Sequence, residues 1–157
     1  RSTDDGLRIF VQRVRELTKL YRKEHNWDNL VLENATKQLS ELQGELFDIR
    51  AEWQLNTASE VGVTINGLPV TYDMAKQRLF CAGESAELKP VQGRINLRVL
   101  VDRVGIEIFA NDGRLYVSYG YIPPPESTRG IAVWAKEGTA GIVSLKVAEL
   151  NSIWKTE

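Results

Sequence analysis

Hydrophobic and polar positions along the chain fall into two regimes. Residues 1–44 are mixed and polar, with one stretch at helical spacing, whereas residues 45–154 read almost wholly as strands and turns. In the first regime Val14, Leu17, Leu20 and Tyr21 recur at helical spacing with Arg, Lys and Glu between them. That pattern predicts a short amphipathic helix over residues 13–24 with a solvated charged face. Ahead of it, Leu7, Ile9 and Val11 alternate with polar residues as a short strand does. Ala35, Leu39 and Leu42 suggest another helical turn, and Asn29 to Leu32 a strand.

The second regime is sharper. From Glu45 to Trp53 the pattern alternates, with Asp48, Arg50 and Glu52 on one face and Phe47, Ile49, Ala51 and Trp53 on the other. Asn66-Gly67 is the favoured pair for a type I′ turn, which needs φ > 0 at both positions. A two-residue loop there pairs Ile65 with Leu68, Val63 with Val70 and Val61 with Tyr72, all on one face. Asp112-Gly113 as a loop pairs Ala110 with Leu115, Ile108 with Val117 and Ile106 with Tyr119. A four-residue turn over Asp102 to Gly105 then sets Val101 against Ile106, Val99 against Ile108 and Leu97 against Ala110. Residues 95–122 so form a three-stranded meander, ended by Pro123-Pro124-Pro125. Two last strands follow, Gly130 to Lys136 and Gly141 to Leu150. The sum is roughly ten short strands at sandwich spacing, and the short turns require antiparallel pairing.

Composition changes this picture little. A length of 157 residues suits a single domain, here a leading segment 1–44 with a short helix and sandwich strands over 45–154. The net charge is −1 with Lys and Arg scattered, unlike a nucleic-acid binder. No apolar run approaches the roughly 18 residues that span a bilayer. The chain opens on Arg1 and its only methionine is Met74, so it reads as processed or excised. The lack of a signal pattern therefore leaves the compartment open.

Candidate chemistry is sparse. Cys81 is the sole cysteine and His25 the sole histidine, which leaves no intrachain disulfide and no His/Cys zinc cluster. Cys81 lies in the apolar run Leu79-Phe80-Cys81-Ala82 and reads as a buried, inert thiol rather than half of a Cys–His nucleophilic pair. Asp48, Asp102, Glu107 and Asp112 are the carboxylates a glycosidase pair would draw on, yet no spacing forces two of them into one cleft. Asp102 and Asp112 sit in turns, where Asp caps its own backbone, and Glu107 faces Ser118 across a hairpin, so all read as structural or solvated. Trp27, Trp53, Trp134 and Trp154 are candidates for a sugar-stacking platform, although an isolated Trp on a strand is more often core or interface. Asn34-Ala35-Thr36 is a glycosylation sequon, relevant only in a eukaryotic secreted protein.

The run Leu97-Arg98-Val99-Leu100-Val101-Asp102-Arg103, then Ile106-Glu107-Ile108-Phe109, then Asn111-Asp112-Gly113, resembles the C-terminal sandwich signature of family 32 glycoside hydrolases. Val104-Gly105 stands where that family usually has small hydroxyl residues. Val14-Arg15-Glu16-Leu17, Gly44-Glu45-Leu46-Phe47-Asp48-Ile49, Tyr72-Asp73, Leu88-Lys89-Pro90-Val91-Gln92-Gly93 and the closing Ser144 to Leu150 with Ile153-Trp154 fit in the same order. The resemblance covers about residues 7–154. It implies an all-β fold, a sandwich of two antiparallel sheets of the concanavalin or lectin-like jelly-roll kind, with a short N-terminal helix.

It also implies a parent β-fructofuranosidase acting on levan, inulin or sucrose, whose catalytic carboxylates lie in N-D-P-N-G, R-D-P and E-C motifs of an N-terminal β-propeller. None of those motifs occurs in this chain, so no catalytic residue carries over, and the resemblance assigns no substrate-binding residue, cofactor or metal. The implied partner is the propeller of the same parent, with fructan a further candidate, nucleic acid and membrane excluded, and an extracytoplasmic location. Three readings follow: a scaffold for the propeller, a fructan-binding module, or a self-sufficient hydrolase. A scaffold needs an apolar patch at the domain face, a binder needs aromatics sharing one exposed surface, and a hydrolase needs two convergent carboxyls. The missing motifs favour the scaffold.

Overall fold

The computed structural model describes residues 2–3, 6–7, 15–42 and 44–152. Twelve strands occur among them: β1 (Ser2–Thr3), β2 (Gly6–Leu7), β3 (Tyr21–Gln38), β4 (Phe47–Leu55), β5 (Glu60–Ile65), β6 (Leu68–Asp73), β7 (Arg78–Cys81), β8 (Glu84–Glu87), β9 (Arg94–Val101), β10 (Gly105–Ala110), β11 (Leu115–Gly120) and β12 (Ile131–Leu150). β1 and β2 pair only with each other. All pairing is antiparallel.

Turn chemistry sets the registers. Asn66 and Gly67 take φ of 49° and 87°, and β5 and β6 pair as the Asn-Gly turn requires: Ile65 with Leu68, Val63 with Val70, Val61 with Tyr72. β9, β10 and β11 form the meander in the predicted register throughout. The β9–β10 turn closes with Asp102 N–H donating to the Gly105 carbonyl at 2.9 Å. The β10–β11 loop is longer than the predicted pair of residues. It spans Asn111 to Arg114, with Asn111, Asp112 and Gly113 all at positive φ.

The strands follow the order β11-β10-β9-β4-β12-β5-β6-β7-β8, with β3 along the other side of β12. β12 runs 20 residues and serves two sheets. Its second part, from Ala140 to Glu149, pairs with β4 and so completes a first sheet with β9, β10 and β11. Its first part, from Ile131 to Lys136, pairs with β5 and completes a second sheet with β6, β7 and β8. β3 edges both along its 18 residues. The two last strands expected from the sequence are therefore one strand, broken in register between Ala135 and Thr139. Glu137 (φ 52°) and Gly138 (φ 138°) make that bulge, and a bulge bends a strand without ending it.

The leading segment departs furthest from expectation. Over Arg15–Leu20 the chain forms a 3-10 helix, and from Tyr21 it is already strand; of the helix predicted for 13–24, residues 21–24 are therefore strand and 13–14 lie outside the described residues. The strand predicted over Leu7, Ile9 and Val11 lies, beyond Leu7, outside the described residues. The helical turn suggested by Ala35, Leu39 and Leu42 is absent: Ala35 belongs to β3, while Leu39 is buried and accepts a turn bond from Leu42 N–H at 3.3 Å. Leu39 N–H donates to the Ile131 carbonyl, so the site of the expected helix is consumed by sheet contacts.

Between the sheets lies one apolar core. Phe47, Ile49, Ala51 and Trp53 of β4 face Val61, Val63, Ile65, Val70 and Tyr72 of the second sheet within a single cluster. Tyr72 brings a hydroxyl into that core and donates it to the Leu88 carbonyl at 2.8 Å, which avoids an unpaired buried donor. Cys81 is a free, buried thiol whose pKa burial pushes up to about 11, the inert cysteine expected from its apolar run.

Candidate functional site

The polar groups that gather most densely lie on the outer face of the first sheet, and alternation along three strands puts them there. With Phe47, Ile49 and Ala51 turned inward, Asp48, Arg50 and Glu52 point out from β4. Cross-strand pairing sets Arg50 beside Arg98 of β9 and Lys146 of β12. One row over, Asp48 lies beside Leu100 and Ala148.

Asp48 is outward-facing and still buried, at 1% exposure. Arg98 donates to its Oδ1 at 2.9 Å and to its Oδ2, and the Tyr21 hydroxyl also donates to Oδ2. Arg50 donates to the Tyr21 oxygen at 2.5 Å and stands 3.7 Å from Asp48. Burial raises the Tyr21 phenol above its ordinary pKa, Asp48 raises it further, and Arg50 acts against both. The first residue of β3 is thereby fixed onto β4 and β9. A similar tie stands at the end of β12, where buried Glu149 accepts from Arg22 at 2.5 Å and contacts His25 Nε2 at 2.9 Å.

The other carboxylates named from the sequence do not converge with Asp48. Glu107 shares its face but lies two strands away beyond Leu100, about 10 Å in the pairing direction, and accepts from the Tyr116 hydroxyl at 2.6 Å. That bond to Glu107 is the main cause of the raised Tyr116 pKa. Asp102 sits in the β9–β10 turn and accepts from Arg103 N–H at 2.6 Å, and Asp112 is exposed in the β10–β11 loop. A retaining glycosidase needs carboxyls about 5 Å apart, and an inverting one needs room for water between them. Leu100 occupies the space between Asp48 and Glu107, and both oxygens of Asp48 are taken.

The tryptophans are also placed apart. Trp53 is fully buried, and its Nε1 is without a hydrogen-bond partner. Trp134 is 7% exposed and lies on the outer face of the second sheet over Gly62, where a Cβ would come within 2.5 Å of the ring. Its indole donates to Thr64 Oγ1 at 3.1 Å, and Lys136 Nζ stands 4.8 Å from its ring centroid. Trp27 is half-buried beside His25, with centroids 6.0 Å apart. Trp154 lies outside the described residues. The sequon residue Asn34 takes φ 43° on edge strand β3 and accepts from Glu137 N–H at 3.3 Å. Among the described residues no three His, Cys, Asp or Glu side chains are grouped to hold a metal ion.

What this face does hold is a shallow cleft of about 510 Å³ over β4, β9 and β12, with Arg15, Arg50, Arg98, Lys146, Asn96 and Phe109 in its lining. Sequence reasoning missed this group because Arg50, Arg98 and Lys146 are far apart in the chain and meet only through strand pairing. A partial signal was present, since Asp48 and Arg98 each fall in a quoted motif, Phe47-Asp48-Ile49 and Leu97-Arg98. The remaining signature residues are structural in the same way. Asn111 Nδ2 donates to the Lys89 carbonyl at 2.9 Å while its Oδ1 accepts from Asn96 N–H at 3.0 Å, tying the loop to β9 and to the segment before it.

Comparison with known proteins gives a consistent result. The family model for Glycosyl hydrolases family 32 C terminal matches residues 16–149. A levanase of Bacillus subtilis (strain 168) is 28% identical over 97% of this chain, which spans only 26% of that protein. A levanase of Bacillus sp. (strain L7) is 42% identical over half of the chain. Among solved structures, exo-inulinase from Aspergillus awamori aligns at TM-score 0.70 and 19% identity, covering 88% of this chain and 31% of its own. Fructan 1-exohydrolase IIa from Cichorium intybus, in complex with 1-kestose, aligns at TM-score 0.75 and 11% identity, covering 96% and 39%. At these identities the structural matches speak for the fold, a β-sandwich.

Proposed function

The chain belongs to the C-terminal domains of family 32 glycosyl hydrolases, and we propose that it is a non-catalytic module stabilising the β-propeller of a parent that hydrolyses β-fructofuranosides. The observation that carries this reading is how the signature's polar residues are engaged. Asp48, Arg98, Glu107 and Asn111 are each bound to a neighbouring strand, and Asp102 to the backbone of its own turn. Residues held in this way build a rigid surface and leave no pair of carboxyls facing a substrate. The Bacillus levanases among its relatives support a levan- or inulin-type substrate for the parent, and an extracytoplasmic location goes with it. No helix among the described residues is long and apolar enough to cross a membrane.

The test is calorimetric titration of the purified chain with levan, inulin and sucrose, with released fructose assayed in the same samples. No heat and no fructose is the expected result. Fructose release lost on D48N or E107Q would overturn the reading, and binding without release would make the module a fructan binder. In a parent enzyme, removing the module is expected to lower the melting temperature of the propeller, and an unchanged value would count against a stabilising role.

A further inference from the structure

Lys146, Arg50 and Arg98 form an unbroken cross-strand row of three cations. Like charges directly opposite on a sheet repel, so such a row needs compensation. Beneath it Asp48 supplies one carboxylate, fully engaged by Arg98 and Tyr21. In the next row Glu52 is held by Arg94 at 2.6 Å. Of the cations lining the cleft, Arg50 shares Asp48, 3.7 Å away, with Arg98, and Arg15 and Lys146 are left with one further carboxylate in the lining, Asp112, an exposed loop residue. Among the described residues neither Arg15 nor Lys146 is in an ion pair.

We propose that this cleft binds a small phosphate-type oxyanion, held between Arg50 and Lys146 and approached by Arg15. Arg50 is suited to the task. Its guanidinium is oriented by the Tyr21 hydroxyl, which is itself fixed by Asp48, and its side chain remains 41% exposed. A pre-oriented fork of donors matches an oxyanion and loses little freedom on binding it. The cleft volume of about 510 Å³ accommodates such an ion with its remaining water. Bound there, the anion would bridge β4, β12 and the 3-10 helix that carries Arg15, joining the leading segment to the sheet. The inference is independent of the scaffold role, since it concerns the isolated chain.

The experiment is thermal unfolding of the chain in rising inorganic phosphate, against sodium chloride at matched ionic strength, with sulfate as a second tetrahedral oxyanion. A saturable rise in melting temperature with phosphate, absent with chloride, is expected, because a ligand that binds only the folded state stabilises it by mass action. K146Q changes an exposed side chain and is expected to fold normally while weakening the apparent affinity about fivefold. Combining it with R50Q is expected to abolish saturation. Equal shifts with phosphate and chloride would overturn the proposal, as would full retention of the phosphate effect in K146Q and in the double variant.

Discussion

Across the first sheet the central outward row reads Asn26, Lys146, Arg50, Arg98, Phe109, Tyr116; across the second it reads Thr36, Trp134, Gly62, Thr71, Phe80, Ser85. The first sheet covers its outer face with ions. Asp48 is buried there because Arg98 and Tyr21 satisfy it, and a leftover of cations lines a cleft. The second sheet covers the same position with a hydrocarbon surface. Trp134 lies flat where Gly62 makes room, its nitrogen bonded to Thr64 and its ring covered by Lys136. The difference teaches that an outward position on a strand is not equivalent to a solvated one. Each sheet reaches burial on its outer side, by pairing in one case and by shape in the other.

The comparison can be broken most forcefully at its ionic end. D48A leaves Arg98 half-buried without its carboxylate and is expected to cost about 3–4 kcal/mol in urea unfolding, since removing one partner of a buried pair strands the other. At the opposite end, G62A drives a methyl within 2.4 Å of the Val70 carbonyl and within 2.5 Å of the Trp134 ring. A loss of about 2–3 kcal/mol is expected by the same measurement, with a change in Trp134 fluorescence, because overpacking a fixed backbone has no soft way out.

Two smaller changes sharpen the contrast. Y21F is expected to cost about 1–2 kcal/mol near neutral pH by removing the hydroxyl between Asp48 and Arg50. The phenol's pKa is raised in the fold, mainly by burial and then by Asp48. A raised value means its stabilisation is complete below the ordinary phenol pKa of 10.0 and is lost as pH climbs past it. Stability measured between neutral and strongly alkaline pH is therefore expected to fall less steeply in Y21F. Part of the alkaline loss remains, because burial also pushes Tyr72 up to about 12. K136A, which uncovers one face of Trp134, is expected to cost about 0.5 kcal/mol in the same unfolding measurement near neutral pH.

How far the sequence was legible follows from the range of the interactions. The β5–β6 hairpin and the β9–β11 meander were readable to the register because short turns fix local pairings, and alternation fixes the face. Of β3 only Asn29 to Leu32 was readable as strand. It edges both sheets, so both its faces are largely exposed and its side chains carry little alternation, while Val14 to Tyr21 happens to have helical spacing. Glu137-Gly138 falls in the gap between the two strands read from the sequence, Gly130 to Lys136 and Gly141 to Leu150; the pairing of β3 on both sides of it makes it a bulge. Asp48 was placed on the correct face and left open between solvated and structural; the structure makes it structural and buried. The groups that bury it, Tyr21 and Arg98, stand 27 and 50 residues away, beyond any local signal. The cationic cleft was hidden for the same reason.

The continuity of β12 has a consequence for how the module comes apart. A strand shared by both sheets leaves no seam along which one could melt while the other stays folded. Its bend depends on Gly138, where φ is 138° and a Cβ would fall 2.5 Å from the Thr57 carbonyl oxygen, so no other residue fits without moving that backbone. The two halves are therefore expected to lose structure in a single transition, with calorimetric and van't Hoff enthalpies in agreement, and a side chain at Gly138 to disturb the bend on which both depend.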